Sequence, residues 1–476
     1  MGACHVAIDI GASSGRHIVG QVVDGRMELT EVFRFENGLS RKGGHLCWDI
    51  DALAENVIAG LAAAREAGFE PATVGIDTWA VDYVLLDGQD RRIGDCVGYR
   101  DARTDGVRDA LELSGILSFS EHYARTGIQY QQFNTAYQLC ALSREDRNAL
   151  DRAHAMLMVP DYLNFVLTGV KAQEYTNAST TALVGAESCN WDEELIARLN
   201  LPRRIFQPIR MPGESLGRVR PEIAERIGYA PEVVLVASHD TGSAWLAVPA
   251  RDEQAVYFSS GTWSLVGVEM REPICTPESA AANLTNEGGY ERRYRYLKNI
   301  MGLWMIQNVR RELGEQTGVA PTWDELVAAA EKARAAGFHA VVDADDPEFL
   351  APASMLAALR TVCERSDQPV PATMGEYALT VYDSLAADYA RTVAQLHELT
   401  GVDYTSINIV GGGSNNGYLN QATADACGLP VFAGPTEGTA LGNLMVQFIF
   451  AGEYASLEDA RAAIKKSFAI KEYQPR

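Results

Sequence analysis

The chain has 476 residues, 47% hydrophobic and 22% charged, which suits a soluble globular protein of roughly two to three domains rather than a single core. A formal charge of -22 argues against wrapping nucleic acid or settling on an anionic membrane, and a polyphosphate ligand would need a locally favourable site and a divalent cation. Eight cysteines without C-x-x-C spacing make neither a zinc framework nor a disulfide scaffold, and no apolar run reaches membrane-spanning length, so the chain reads as cytoplasmic, a monomer or small homo-oligomer.

Residues 1–10 read as a strand, not a signal peptide. VAIDIGASSGRHIVGQVVDGRMEL then runs strand, tight Gly/Ser turn, strand, because β-branched alternation continues through His17, Val19 and Gln21. Asp24-Gly25 is a strong hairpin turn into Met27–Phe35. A dinucleotide or P-loop site would place a helix after the glycines, and no G-x-x-x-x-G-K-[ST] occurs. Gly11 to Gly15 does match G-x-S-x-G, but a nucleophile elbow also needs a following helix, so a hydrolase is discounted.

Asp49 or Asp51 can cap a helix whose Leu53, Val57, Ile58 and Leu61 share a face, with Gly68 ending it. Thr73–Thr78 and Val81–Leu86 are short strands, Asp87-Gly88 is a turn, and 105–150 is mainly helical. A buried-looking segment, MLMVPDYLNFVLTG, precedes a proline- and arginine-rich stretch from Pro202 to Pro231. VVLVASHD then reads as a buried strand, and the domain junction falls shortly after Asp240, dividing the chain into 1–243 and 244–476. QAVYFSSGTWSLVGVEM repeats the opening strand–turn–strand device half a chain later. Two small-residue turns rich in backbone N–H groups, one per half, imply two related domains sharing a phosphate-bearing ligand. Tyr377–Leu399 is the longest helical pattern; INIVGGG is a strand entering a glycine loop, Asn416–Cys427 a helix, and Gly442–Phe450 the last strongly apolar helix. Helices and strands alternate throughout, so the class is α/β.

Five constellations could carry chemistry. Asp9, beside the first turn, is an acid placed to hold Mg²⁺ directly or through water, since hard cations prefer oxygen; otherwise it is a polar strand end. Asp240 stands where an apolar strand (Val233–Val236) ends, the place where α/β sheets collect ligands, and is a candidate general base for a hydroxyl. A helix N-cap is the equal and compatible alternative. Trp79 and Asp82 pair an aromatic face with an acid, as a sugar site would, although a strand-end tryptophan is more often core. Tyr99 to Arg103 mixes charges that could equally form an exposed ion-pair face, and Asn299 and Gln307 flank a helix with an apolar stripe at Met301, Leu303 and Trp304.

Taken in order, DIGASSGR, GIDTWAVDYVLLD, YRDART, QFNTAYQL, PDYLNFVLTG, EYTNASTT, ASHDTGSA, SSGTWSL, NEGGYERRYRYLKNIMGLWMIQ and GGGSNNGYLNQATADACGLPV resemble the FGGY carbohydrate kinases over nearly the whole chain. The resemblance implies a two-domain actin/hexokinase/Hsp70-like (ribonuclease H-like) fold with the active site in an interdomain cleft, and ATP- and Mg²⁺-dependent phosphorylation of a sugar. It makes Asp240 the proton acceptor for the sugar C1 hydroxyl. Ala12, Ser13, Ser14, Gly15 and Arg16 would line the ATP phosphates with Thr262 on the second hairpin, and Gln307 and Gly412 would be further ATP contacts. His239, Thr241 and Asn299 would hold the sugar beside the backbone of Ala80. Ala80, often glycine in similar enzymes, and Tyr99, in place of the tryptophan of W-x-D-x-R, depart from the wider family.

Overall fold

The turn at Asp24-Gly25 closes with positive φ at both residues (51° and 72°), the conformation whose twist matches the strands of a two-residue hairpin. It joins Ser14–Val23 to Arg26–Glu36, with Val23 opposite Arg26, and Ser14–Val23 pairs antiparallel on its other side with Cys4–Ile10. The structure, a computed structural model, describes residues 3–350 and 352–476. Met1 and Gly2, part of the expected opening strand, therefore lie outside the described residues.

The chain forms two compact units. The first takes Met1–Ala247, Glu269–Tyr296 and Thr439–Ser467; the second takes Val248–Val268, Leu297–Gly438 and Phe468–Arg476. In the first, the opening three-stranded meander extends into a six-stranded sheet. Cys4–Ile10 pairs parallel with Thr73–Thr78, and this pairs parallel with Glu232–Val234, beside the edge strand Ser215–Arg218. Val6, Ile8, Ile10, Val74 and Ile76 bury one sheet face against Leu53, Val57 and Leu61 of the helix Ile50–Glu66, whose N-cap is Asp49. In the second unit, Ala255–Ser260 and Ser264–Met270 form the corresponding hairpin. Ala255–Ser260 pairs parallel with Ser406–Val410, which pairs parallel with Val431–Ala433. Each unit therefore repeats the order hairpin, then parallel strands, as the duplicated Gly/Ser turn implies.

Three expected elements differ in extent. The strand expected over Val233–Val236 is Glu232–Val234; beyond it, Leu235 N–H goes to the Glu214 carbonyl, and the ladder stops. Val81 takes φ 67°, so the strand expected from Val81 begins at Tyr83. The helix expected at Gly442 begins at Gly438. The longest helix, Met374–Thr400, starts ahead of its apolar pattern because Thr373 and Glu376 form a reciprocal capping box, and it ends on Gly401 at φ 69°. Among the described residues, no helix is long and apolar enough to cross a membrane, and all eight cysteines are free.

Candidate active site

In the first unit the sheet register sets three residues in one row. Asp9 lies opposite Arg16 on one neighbouring strand and Asp77 on the other. Register partners share a face, so a cation and two carboxyls project together while Ile8 and Ile10 point into the core. Arg16 donates to Asp9 Oδ2 from Nε (3.1 Å) and Nη2 (2.9 Å). Asp77 is fully buried. Its Oδ2 accepts from Asn443 Nδ2 at 2.6 Å, and its Oδ1 has no partner. Burial, then the charge of Asp9, holds the Asp77 carboxyl well above the ordinary range. Asn443 sits on the helix Gly438–Phe450, where Gln447, one turn on, bonds Asn443, the Val6 carbonyl and Thr73, so the polar stripe of that helix is satisfied against the sheet.

Ahead of Asp9, the turn is drawn shut by Gly11 N–H to the Ser14 carbonyl (2.9 Å), and Asn37 bonds the carbonyls of both Ser13 and Gly11. Ala12 and Ser13 form its exposed tip, with Ser14 and Arg16 partly exposed. Gly15 is buried, and a Cβ there would stand 2.1 Å from the Phe35 ring, so its lack of a side chain serves strand packing. A strand follows the turn, as the exclusion of a nucleophile elbow requires.

The segment before Asp240 is pinned by a buried acid. Glu174 Oε2 accepts from Ser238 Oγ (2.6 Å) and Ser238 N–H (3.1 Å), and Thr176 Oγ1 accepts from His239 N–H (3.2 Å). The helix Asp240–Leu246 starts there, with His239 in the cap position, so Asp240 is its first residue rather than its N-cap. Behind it lies a charged network that sequence reasoning missed. Arg295, 1% exposed, pairs with Glu287 (2.9 Å), donates to Thr241 Oγ1 (2.8 Å) and the Gly288 carbonyl (3.0 Å), and reaches His239 Nδ1 (3.0 Å). His239 Nδ1 also lies 3.3 Å from Glu287 Oε2, and its Nε2 stands 3.1 Å from Thr241 Oγ1 and 3.5 Å from Asp240 Oδ1. Burial would raise the Glu287 carboxyl, but Arg295 and His239 outweigh it and hold it below its usual value. Asp240 is recessed but reachable, 29% exposed. Burial raises it to about 6; the positive field of His239 and Arg295 resists that rise and the Asp9 charge reinforces it. At neutral pH it is an ionised carboxylate able to take a proton.

Trp79 and Asp82 do not form an open sugar-facing wall. Both are buried (6% and 1% exposed), and Asp82 Oδ2 accepts from the indoles of Trp48 (2.7 Å) and Trp79 (3.0 Å). Asp101, of the Tyr99 to Arg103 stretch, is a loop brace and not part of an exposed ion-pair face: it accepts from His45, Leu46 N–H and Arg103 N–H.

In the second unit, the bend carrying Thr262 is docked on the start of the helix Trp304–Thr317, since Leu303 and Trp304 N–H groups bond the Gly261 and Thr262 carbonyls. Gln307 lies inside that helix and does not flank it; Met305, Ile306 and Val309 supply the packing stripe. The glycine loop approaches the same hairpin: a Cβ on Gly411 would meet the Ser260 carbonyl at 2.9 Å, and one on Gly413 the Ser260 hydroxyl at 1.9 Å. The segments bearing Thr262, Gln307 and Gly412 thus converge on the second hairpin. Asn299 is the one partly exposed residue near the end of the otherwise buried strand Tyr294–Ile300.

The residues present fit a hydrated Mg²⁺. Among the described residues, no group of three or more His, Cys, Asp or Glu side chains could cage a cation, but Mg²⁺ on a nucleotide needs only one or two carboxylates beside phosphate and water. Asp9 and the unpartnered Oδ1 of Asp77 offer that oxygen.

The family model for the N-terminal domain of the FGGY family of carbohydrate kinases matches residues 4–247, and that for the C-terminal domain matches 256–451. A rhamnulokinase of Halalkalibacterium halodurans is 47% identical over 470 residues, 98% of each chain. One of Bacillus subtilis is 41% identical over 473 residues, 99% of this chain and 95% of its own. Among solved structures, ligand-bound xylulose kinase from Lactobacillus acidophilus has a TM-score of 0.81 at 16% identity, over 100% of this chain and 94% of that one. Plasmodium falciparum glycerol kinase with ADP has a TM-score of 0.78 at 16% identity, over 100% and 95%. At that identity the two structures speak to fold, which is the two-domain actin/hexokinase-like one.

Proposed function

The chain belongs to the FGGY family of carbohydrate kinases, enzymes that pass a phosphoryl group to a sugar alcohol group, and we propose that it transfers the γ-phosphoryl of ATP to O1 of L-rhamnulose, giving L-rhamnulose 1-phosphate and ADP in L-rhamnose catabolism. The observation that carries this reading is the rhamnulokinase likeness, at 40–47% identity along almost the full length of both chains. The free thiols support a reducing, cytoplasmic setting.

Phosphoryl transfer asks for alignment and charge neutralisation more than covalent chemistry. Asp240 takes the proton of the C1 hydroxyl as its oxygen attacks, and a base so placed contributes about 10²–10⁴-fold. His239, held between Arg295 and Glu287, and Thr241 orient the sugar, together with Asn299 and the Ala80 backbone. On the first unit, Ala12 to Arg16 receive the triphosphate, and Arg16 aims Asp9 through two hydrogen bonds. On the second unit, Thr262, Gln307 and Gly412 serve the nucleotide. Asp9 would hold Mg²⁺, which would supply charge neutralisation on the phosphoryl oxygens.

A sugar screen with purified protein tests this. The kcat/KM measured by ADP release should be highest with L-rhamnulose, ahead of L-fuculose and L-xylulose, and ³¹P NMR should place the phosphate on O1. A better ketose would move the substrate; ATP turnover indifferent to every sugar would favour a nucleotide-switched binding protein on the same fold.

A further inference from the structure

Between Thr73–Thr78 and Tyr83–Leu86 the chain turns through Trp79, Ala80, Val81 and Asp82, against the preferences of those residues. Val81 has φ 67°, and the Asp82 N–H closes on the Ala80 carbonyl at 2.9 Å. A β-branched residue with positive φ in a three-residue turn is strained and persists only where its surroundings over-determine it.

Those surroundings are specific. The Val81 carbonyl accepts from Thr135 Oγ1 (2.7 Å) and Gln138 Nε2 (3.2 Å). Asp82 gathers four donors: Trp48 Nε1 (2.7 Å), Trp79 Nε1 (3.0 Å) and the Tyr99 N–H (3.1 Å) on Oδ2, and Gln138 Nε2 (3.0 Å) on Oδ1. Arg103 can only donate, and its 2.7 Å bond to Gln138 Oε1 fixes the amide with its NH₂ toward Asp82. The two indoles pack with ring centroids 4.1 Å apart and planes tilted by 36°. At the other end, Thr78 N–H bonds the Ser238 carbonyl (2.9 Å), the residue before His239. Of Thr78 to Asp82, Ala80 alone is not buried.

We propose that Asp82 is a positioning residue for the sugar: one carboxylate, by holding Trp48, Trp79, Tyr99 and Gln138 together, locks the strained turn so that the Ala80 backbone meets the ketose at a fixed place beside His239. This rests on the assignment of Ala80 to the sugar. The tryptophan and acid that resemble an open sugar platform act from behind it, through backbone geometry.

Asp82→Asn tests this, because it keeps one acceptor oxygen and brings an NH₂ into a ring of donors. The KM for L-rhamnulose should rise about tenfold while the KM for ATP stays within about twofold. Amide exchange at residues 79–83 should rise at least about tenfold, with exchange in Cys4–Ile10 unchanged. Trp48→Phe, which removes one donor and keeps a ring, should move both readouts the same way by a smaller factor, and it carries the test if Asp82→Asn does not fold. Unchanged exchange at 79–83 overturns the brace whatever the sugar is. Faster exchange with an unchanged sugar KM, or equal rises in both KM values, overturns the positioning role. A wild type that phosphorylates no ketose overturns the proposed function instead, and the exchange result still judges the brace.

Discussion

Asp240 joins two requirements of a base that works near neutrality: a recessed carboxyl raised to about 6 and an open side toward solvent. Its sign is fixed by its role. The ionised form accepts the proton, so kcat/KM for the sugar should hold from pH 8 to about 7 and fall tenfold per unit below about 6, whereas an unperturbed aspartate near 3.8 would leave it flat to about pH 4.5. Asp240→Asn should cut kcat by about 10²–10⁴-fold, remove that acid limb from the residual rate, and leave the KM for ATP within about twofold. Stopped assays from pH 5 to 8 on both proteins check this; a variant turning over near the wild-type rate would remove Asp240 from the chemistry. This position was legible in the sequence as a carboxylate ending an apolar run, with general base and helix N-cap on equal terms. Arg295, Glu287 and Asp77 were not, since each is one charge in a strand whose partners are chosen by tertiary pairing: Arg295 between Tyr294 and Tyr296, Asp77 between Ile76 and Thr78. Trp79 and Asp82 were legible as a pair open to a sugar-site or a core reading; burial decides for the core, through Trp48, which lies far back in the chain.

At the scale of elements, hairpins and long helices were readable to within a few residues, since turn chemistry and capping are local. Where a strand stops was not: Leu235 to Ala237 stay apolar and buried, but the Leu235 N–H goes to the Glu214 carbonyl and the Ser238 N–H to the Glu174 carboxylate. Nor was the contact that seats Asp240. The helix Gly438–Phe450 passes so close to Asp240–Leu246 that a Cβ on Gly442 would stand 1.7 Å from the Ser243 carbonyl oxygen. Backbone cannot yield as a flexible side chain does, so Gly442→Ala must push one helix off the other. We expect a loss of about 1–3 kcal/mol or more in stability, seen as a lower Tm, with kcat falling further than the KM for ATP changes because Ser243 lies three residues from Asp240. An unchanged Tm would mean that the two helices are not held this closely.

At the scale of the whole chain, the duplicated Gly/Ser hairpin announced two related units, and each does carry the same order of hairpin and parallel strands. How the chain is shared between them was beyond a linear reading, because Glu269–Tyr296 and Thr439–Ser467 return to the first unit after the second has begun. Charge is the other property that belongs to no single residue. A formal -22 spread over the surface repels a triphosphate at long range, while Arg16 is paired with Asp9 and attracts it only nearby. Salt screens the distant repulsion first: the Debye length falls from about 30 Å at 0.01 M to about 8 Å at 0.15 M. The KM for ATP, measured at fixed free Mg²⁺, should therefore fall as KCl is raised across that range, while the KM for the uncharged ketose stays constant. A KM for ATP that rises with salt would mean that local cations, and not the net charge, govern how nucleotide reaches the site.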